Sequence, residues 1–594
     1  MPDRDLQSIQ QARDLLERAR RAQRHYAEFS QSQIDGVIDA MAGAALAAAE
    51  ELGRLAVEET GMGRPLDKKL KNEFSARNVY NFIRPLRTVG VIRDDRSRRV
   101  TEIAEPVGVV AAIIPTTNPT STAIYKILIA LKAGNGVVIS PHPRAEKCIR
   151  RTVEIMERAA LAAGVPEGLI GCMQAPTLEG TQELMSHKLT GVVLATGGSA
   201  MVRAAYSSGK PAFGVGPGNV PAYIERSATV DQAVLNILVG TTFDYGTICS
   251  SEQAIVCDRV IAPQVRQALE RLRGYWVNRD EAERLAQAMV LPGPLINPAF
   301  VGQSPQKIAE MAGLDVPPDA SVLLVPLEGV GRDYPLSMEK LSPVLAYYEV
   351  EDWREACERC HSLLKYGGMG HTLGIHSNDE EVVLQFALKK PAFRITVNTP
   401  TTLGAIGFTT ALDPSMTLGC GAVGGNITSD NISPLHLMNV KRLAWEIRPH
   451  GLSLGSHASG GVQVQAGSQV SAPAPPAPQR PPAPRAEAAG AARSEVPSLD
   501  PESLRSLVRE YLRARGLAAE GGVRLPAPLP PPAAPPATKP AAAPAERKVA
   551  LDLICEEDVR RAQGEGYKLV VGPRTRVTAL ARDLGERAGV FLAE

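Results

Sequence analysis

Between Val107 and Ala195 the chain alternates short, wholly apolar runs with helical stretches, and this alternation restricts the fold more than any other feature. Val107–Pro115, VGVVAAIIP, is too short for a helix and has no polar face, which suits a strand buried on both sides of a parallel sheet. A helix is predicted over Thr120–Ala133, stopped by Gly134-Asn135-Gly136, and a second buried strand over Val137–Ser140. Helix Glu146–Ala163, a strand near Leu169–Met173, a helix over 180–188 and strand Gly191–Ala195 follow. Repeated β-α-β of this kind predicts a doubly wound α/β sheet, which binds dinucleotides at the carboxyl ends of its strands. Those ends carry Pro115-Thr116-Thr117-Asn118, Ser140-Pro141-His142-Pro143 and Thr196-Gly197-Gly198-Ser199. The last opens a helix directly after a strand, where glycine lets a phosphate approach the backbone and the helix N-terminus offers free N–H groups. That turn lacks the G-x-G-x-x-G fingerprint.

Around this core the chain is heterogeneous. Residues 4–60 read as two or three helices, with Leu6, Ile9, Ala12, Leu15 and Leu16 at helical spacing. Residues 88–106 read as two strands around the charged turn Asp94-Asp95-Arg96-Ser97, an arm suited to pairing with another subunit. Gly214-Val215-Gly216-Pro217-Gly218-Asn219 reads as a turn that could line a site where backbone touches a ligand. Residues 258–410 hold a second α/β pattern, with helices near 262–274, 280–288 and 379–389 and strands near 322–325, 344–349, 372–376 and 395–397. From about Arg448 the composition breaks into linkers rich in Gly, Ser, Ala and Pro (451–495) and in Pro and Ala (518–546). Between them, Leu504, Leu507, Val508, Tyr511 and Leu512 make one apolar stripe on a helix with Asp500 as N-cap, a docking segment more than a core element. Residues 548–594 read as a small mixed module: helix Asp558–Gly564, strand Lys568–Val571, turn Gly572-Pro573 and helix Thr578–Ala588. A unit this small is marginal alone and is expected to pair with something.

A chain of 594 residues implies at least two domains. Its formal charge of +1 gives no single-sign field for nucleic acid or an anionic membrane. Eight cysteines without a disulfide framework suit a reducing compartment, and no secretory signal or apolar run long enough to span a bilayer is present. The expectation is an intracellular protein without a metal site. Cys357-Glu358-Arg359-Cys360-His361 spells a c-type haem attachment pattern, but without an export signal and in a helical setting it reads as coincidence. Cys257, in an apolar strand, reads as core. Cys249 differs. In TTFDYGTICSSEQAIVC (241–257) it lies between a Gly-containing turn, Asp244-Tyr245-Gly246, and a short buried strand, Ala254-Ile255-Val256. A turn followed by a strand can hold one nucleophilic thiol at the wall of a cleft.

Nine ordered stretches, PTTNPTST, ALKAGNGVVISPHPRA, TGGSAMVRAA, GVGPGNVPAYIE, FDYGTICSSEQ, EKLSPVLAYY, GHTLGIHS, NTPTTLGAIG and TLGCGAVGGN, resemble the CoA-acylating branch of the aldehyde dehydrogenase superfamily over the first 445 or so residues. The resemblance implies that Cys249 attacks an aldehyde, that a thioester forms on Cys249, and that Asn118 donates its amide to the developing alkoxide with help from the Cys249 N–H. It implies NAD along Ile114, Pro115 and Thr116, along Ser140, Pro141 and His142, and against Thr196, Gly197, Gly198, Met201 and Gly216, with Glu339 on the ribose. Relatives that release a free acid keep a glutamate in the turn that here reads Gly214-Val215-Gly216-Pro217-Gly218. Without it, hydrolysis lacks its base, and a thiol such as CoA is the better acceptor. His371 could assist the CoA thiol or pack under the site. The helix at 496–517 resembles encapsulation peptides of bacterial microcompartments, and residues 556–584 resemble short segments of other microcompartment-linked proteins.

These readings combine into an aldehyde dehydrogenase-like α/β enzyme with a Rossmann-type NAD domain. The expected divisions are 1–228 (helices, NAD domain and hairpin), 229–425 (catalytic domain), 426–450 (return to the NAD region), linker 451–495, docking helix 496–517, linker 518–546 and module 547–594. The expected activity is NAD-dependent conversion of a short aldehyde, propionaldehyde first and acetaldehyde second, to acyl-CoA in a microcompartment lumen. The expected assembly is a homodimer or tetramer, with shell or cargo proteins docking through 496–517 and the terminal module. The rivals are a hydrolytic dehydrogenase and an inactive scaffold that organises cargo.

Overall fold

The structure, a computed structural model, describes residues 3–448 except 294, and residues 548–593 except 551, 552, 555, 566, 573, 574 and 578. The predicted docking helix and both linkers lie outside the described residues. The chain divides into two compact units, Met1–Leu517 and Ala518–Glu594.

In the first unit the predicted β-α-β units form a five-stranded parallel sheet, in spatial order Ile170–Cys172, Gly136–Ser140, Val109–Ile113, Thr190–Thr196 and Ala212–Val215. Val109–Ile113 and Gly136–Ser140 are buried at every position, as apolar runs without alternation require. The chain leaves Val109–Ile113 first to one side and later to the other, so the strand order reverses between it and Thr190–Thr196. The crevice at such a reversal is where open α/β sheets bind ligands.

A seven-stranded parallel sheet follows, in the order Gly274–Trp276, Val322–Pro326, Val344–Val350, Glu252–Asp258, Val220–Ile224, Gly370–His376 and Ala392–Val397. It contains the four strands predicted beyond residue 320. Val220–Ile224 pairs with Glu252–Asp258 and Gly370–His376, so this sheet begins ahead of the expected 228/229 division. Helix Trp353–Gly367 carries Cys357 and Cys360 inward into an apolar cluster with Leu363, Leu364 and Val256, as core residues. Cys257 is likewise buried, 3.1 Å from the Tyr347 hydroxyl. The hairpin Gly90–Asp95/Val100–Pro106 forms as predicted and gains a third antiparallel strand, Met438–Ala444, paired from Met438↔Pro106 to Ala444↔Val100.

The N-terminal helices are Arg4–Tyr26, Gln31–Ala47 and Ala49–Thr60, the second opened by a Ser30/Gln33 capping box. Leu6 is exposed, and the buried stripe of the first helix is Ala12, Leu15, Leu16 and Ala19, packed on Val109, Ala111 and Val138 of the sheet. Helix Pro65–Glu73 continues into a π-helical segment, Phe74–Val79; nothing in its residue pattern singled it out. Helix Pro119–Lys132 is buried at every position. It hides even Lys126, whose Nζ donates to the Ile113 and Leu194 carbonyls, and Lys132, whose Nζ meets Asp35. Buried ammonium groups must have such partners.

The second unit contains a three-stranded parallel sheet, Lys548–Ala550, Lys568–Val571 and Phe591–Ala593, with helices Glu556–Glu565 and Ala579–Ala588. The first and last strands were not predicted; the helices and the middle strand were. Ile554, Val559, Ala562, Tyr567, Leu569, Ala581 and Val590 form its core.

Ile139, fully buried in the first sheet, tests how tightly the half built on that sheet is packed. Ile139→Ala is expected to cost about 2–5 kcal/mol and to lower the thermal midpoint of this half, measured by calorimetry.

Candidate active site

The two parallel sheets point opposite ends at one cavity of about 770 Å³. The carboxyl ends of the five-stranded sheet bring Ile114, Pro115, Thr116, Asn118, Ser140, Pro141, His142, Thr196, Gly197, Gly198, Met201 and Gly216 to its wall. Loops entering the amino ends of the seven-stranded sheet bring Cys249 and Glu339. Every residue proposed from the sequence lines this cavity except His371.

Cys249 is held by unusual backbone. Asp244 and Tyr245 have φ of 49° and 51°, and Gly246 follows at 74°. Consecutive left-handed residues other than glycine are uncommon and persist only where contacts over-determine them. The chain then passes Thr247 and Ile248 to Cys249 and enters the fully buried strand Glu252–Asp258. The Gly218 backbone runs against this loop: a Cβ there would sit 2.2 Å from the Cys249 carbonyl oxygen and 3.0 Å from the His371 ring. That close approach requires glycine. Burial pushes the Cys249 thiol up to about 12; Glu339 and Cys420 add to this and Arg394 opposes it. At neutral pH the resting thiol is therefore protonated.

Asn118 lies at the N-terminal end of helix Pro119–Lys132. Its Nδ2 donates to the Thr247 carbonyl at 3.0 Å and to Thr117 Oγ1 at 3.2 Å, and its Oδ1 accepts from Lys71 Nζ at 2.6 Å. Lys71 also donates to Asp244 Oδ2 at 2.5 Å and to Thr247 Oγ1 at 3.0 Å. Lys68 donates to the same Asp244 oxygen at 2.6 Å and to the Thr117 carbonyl at 2.8 Å. Burial alone would raise the Asp244 carboxyl, but the two ammonium groups more than offset it and hold it below the usual carboxylate range. Burial pushes Lys71 down to about 8, Asp244 opposing and Lys68 adding to the effect. None of Lys68, Lys71 and Asp244 was found from the sequence. The signal was two lysines three residues apart on a helix, indistinguishable there from a solvated face.

The other wall fits a dinucleotide. Thr196 Oγ1 is buried with no hydrogen-bond partner among the described residues, although Thr196 lines the cavity. Gly198 precedes helix Ser199–Tyr206, makes no side-chain cap, and leaves open space where a Cβ would stand. An orphaned hydroxyl beside an uncapped helix N-terminus is chemistry that a pyrophosphate would satisfy. Ser140 turns its hydroxyl to Thr181 Oγ1 at 2.8 Å, and His142 Nδ1 accepts from the Arg144 N–H.

Glu339 accepts from the Gly218 N–H at 2.8 Å. Burial pushes its carboxyl up to about 8, against that N–H and Lys340, so it is largely neutral at neutral pH. His371 stands behind the wall. Its Nδ1 meets Thr372 Oγ1 at 2.9 Å, and burial with Arg394 nearby pushes it down to about 3. Such an imidazole is a weak base, and its placement fits packing beneath Gly218 better than proton transfer. No cluster of His, Cys, Asp or Glu suited to a metal occurs among the described residues.

Residues 5–310 match the model of the aldehyde dehydrogenase family. The bifunctional aldehyde-alcohol dehydrogenase AdhE of Escherichia coli is 42% identical over 435 residues, covering 72% of this chain and 49% of that protein. The chain thus spans about half the length of the aldehyde-alcohol dehydrogenases it matches. Among solved structures, an acetylating aldehyde dehydrogenase from Geobacillus thermoglucosidasius is 52% identical with a TM-score of 0.75, covering 76% of this chain and 99% of that one. A propionaldehyde dehydrogenase from the Clostridium phytofermentans fucose utilisation bacterial microcompartment is 28% identical with a TM-score of 0.67, covering 73% and 97%. A propionaldehyde dehydrogenase from Rhodopseudomonas palustris, solved with bound CoA and an acylated cysteine, is 26% identical with a TM-score of 0.66, covering 73% and 97%.

Gly218 gives a direct check on the site geometry. Gly218→Ala is expected to fold but to lose roughly 100-fold in turnover with an aldehyde, NAD and CoA, because the added methyl displaces the Cys249 loop. Steady-state kinetics with circular dichroism as the folding control measures this.

Proposed function

The chain belongs to the aldehyde dehydrogenase family, and from that premise we propose that it oxidises a short-chain aldehyde with NAD and passes the acyl group from Cys249 to coenzyme A. One observation carries the reading: a cysteine on a constrained loop, an amide donor and dinucleotide-type strand ends line a single cavity. In this account the Cys249 thiol gives its proton to water in the cavity as its sulfur bonds to the aldehyde carbon, and the carbonyl π pair moves to oxygen. The Asn118 Nδ2–H and the Cys249 N–H stabilise that alkoxide. NAD, when bound along the strand ends, supplies the hydride acceptor. Collapse of the alkoxide, as its carbon gives up hydride to that acceptor, leaves a thioester on Cys249; the CoA thiol then loses its proton to water and bonds to the thioester carbon, and the bond from that carbon to the Cys249 sulfur breaks, the sulfur leaving as a thiolate that takes up a proton.

Thiol rather than water as acceptor is supported by the acid content of the cavity. Glu339 is the one carboxylic acid among the described lining residues, and a largely protonated acid does not draw a proton from water. A thiol with an ordinary pKa near 8.5 needs less help. The lining around Cys249 includes Ile248, Leu341, Ile406, Met416 and Leu418, and no lysine or arginine occurs among the described lining residues. A small uncharged aldehyde suits such a wall, propionaldehyde ahead of acetaldehyde. An aldehyde bearing a carboxylate or sulfonate would find no cation there. The intact set of Cys249, Asn118 and Glu339 argues against an inactive scaffold.

We further propose a microcompartment lumen as the site of action, through residues 496–517 and the terminal module. The support is the tail's resemblance to encapsulation segments and the microcompartment origin of one structural neighbour. Subunit pairing through the antiparallel sheet is proposed from its exposed Val91 and Leu443 and from exposed Trp445 and Ile447 just past its last strand.

With NAD and propionaldehyde but no CoA, one propionyl group is expected on the peptide that contains Cys249, and none in Cys249→Ala, as read by peptide mass spectrometry. An acylated Cys249→Ala protein would remove the assignment. Deleting 496–517 is expected to leave turnover unchanged and to abolish co-sedimentation with shells; unaltered co-sedimentation would refute the docking role.

A further inference from the structure

The resting geometry of Asn118 leaves its catalytic role under-determined, because an amide can present either its oxygen or its nitrogen to the cavity. Lys71 removes that freedom. An ammonium group only donates, so the atom 2.6 Å from Lys71 Nζ must be the amide oxygen, and the NH2 group must face the Thr247 carbonyl and Thr117 Oγ1, both on residues that line the cavity. All three Lys71 hydrogens are committed, to Asn118 Oδ1, Asp244 Oδ2 and Thr247 Oγ1, so the ammonium cannot turn away without losing all three. The neighbouring residues of its helix reinforce the contact. Lys68 donates to the Thr117 carbonyl, and Asn72 Oδ1 accepts from Thr120 Oγ1 at 2.7 Å. One face of helix Pro65–Glu73 therefore holds residues 117, 118 and 120 in place.

From this arrangement we infer that Lys71 is a positioning residue for the reaction: its charge fixes the orientation of the Asn118 amide and strengthens that amide's N–H as a donor to the alkoxide. The physical basis is that a cation at a carbonyl oxygen draws density from the amide nitrogen, and bonds with an ionised partner are the stronger ones. The inference rests on the reading of Asn118 as the alkoxide donor. Asp244 has a paired duty. It keeps Lys71 charged in a buried setting and ties the ammonium to the loop that carries Cys249, so the donor and the nucleophile share one anchor.

The groups that face Lys71 are few. Lys68 and Asp67 come from its own helix and Asp244 from the Cys249 loop, and the Phe243 ring centroid lies 5.7 Å from Nζ. On helix Ala49–Thr60, packed alongside, Glu50 is engaged by Lys69 at the surface, and on Gln31–Ala47 Asp35 and Asp39 face Lys132 and Arg84. With Lys71 near 8, its charge is present below that pH and lost above it.

The test is the first-turnover burst of NADH from propionaldehyde without CoA, followed across pH. Relative to the rise with pH that ionisation of the Cys249 thiol imposes, the wild-type burst rate is expected to fall as pH rises through about 8. Lys71→Met is expected to lose roughly 10- to 100-fold in burst rate at neutral pH, with a smaller change in aldehyde KM, and to lose that falling limb. Lys71→Arg, whose guanidinium stays charged, is expected to keep most of the rate without the limb. In Glu339→Gln, which removes the cavity carboxyl that titrates near 8, the limb is expected to persist; Glu252 and Lys340, both pushed to about 7, titrate below it. Added to Asn118→Ala, Lys71→Met is expected to cost little more, as for residues that act as a unit. A wild-type burst rate and pH profile in Lys71→Met, or losses that add in the double variant, would overturn the inference. If Lys71→Met does not fold, Lys71→Arg decides, since a limb unchanged in that variant contradicts it. A wild-type enzyme without any burst would instead overturn the proposed function.

Discussion

One carboxylate oxygen, Asp244 Oδ2, receives hydrogens from Lys68, Lys71 and Thr247, and the active-site geometry depends on it. The other oxygen accepts from the Arg64 N–H, and the Asp244 N–H donates to Asp67. Through these bonds helix Pro65–Glu73, the first strand's exit loop and the Cys249 loop become one rigid piece. Removing one partner of such a buried ion cluster typically costs about 3–5 kcal/mol, because a charge is left unpaired. The left-handed backbone at Asp244 and Tyr245 is the local cost of presenting that carboxylate inward while turning Cys249 toward the cavity.

The wider fold places this piece between two sheets of opposite presentation. The five-stranded sheet reverses its winding beside Val109–Ile113 and opens a crevice at its carboxyl ends, and the seven-stranded sheet offers the loops before its strands. Nucleophile and dinucleotide wall therefore come from different sheets and meet only when both pack. Packing of these elements raises the Cys249 thiol and the Glu339 carboxyl and lowers Lys71 by taking the groups out of bulk solvent.

Much of this was legible in the residues. Runs such as VGVVAAIIP announce strands buried on both faces, and the turns after them mark the strand ends that line the cavity. Cys249 stood out through its turn-and-strand setting and through the family resemblance. The terminal module's two helices and middle strand were readable from periodicity, while its short outer strands, Lys548–Ala550 and Phe591–Ala593, carry too few residues to show a period. The Met438–Ala444 strand was missed because its partner lies more than three hundred residues earlier, and local pattern does not encode that pairing. Lys68, Lys71 and Asp244 escaped for the same reason: a lysine on a helix reads as solvated until the fold covers it. His371, which its motif left open between assisting the CoA thiol and packing under the site, lies behind the cavity wall.

The central claim is that an acyl group on Cys249 waits for a thiol and not for water. NADH formed from propionaldehyde and NAD, followed with and without CoA, tests it most directly. The account predicts about one equivalent per active site without CoA, the single turnover that covalent trapping on the nucleophile allows, and continuous turnover once CoA is added. Sustained NADH production without CoA would contradict it and would make water the acceptor.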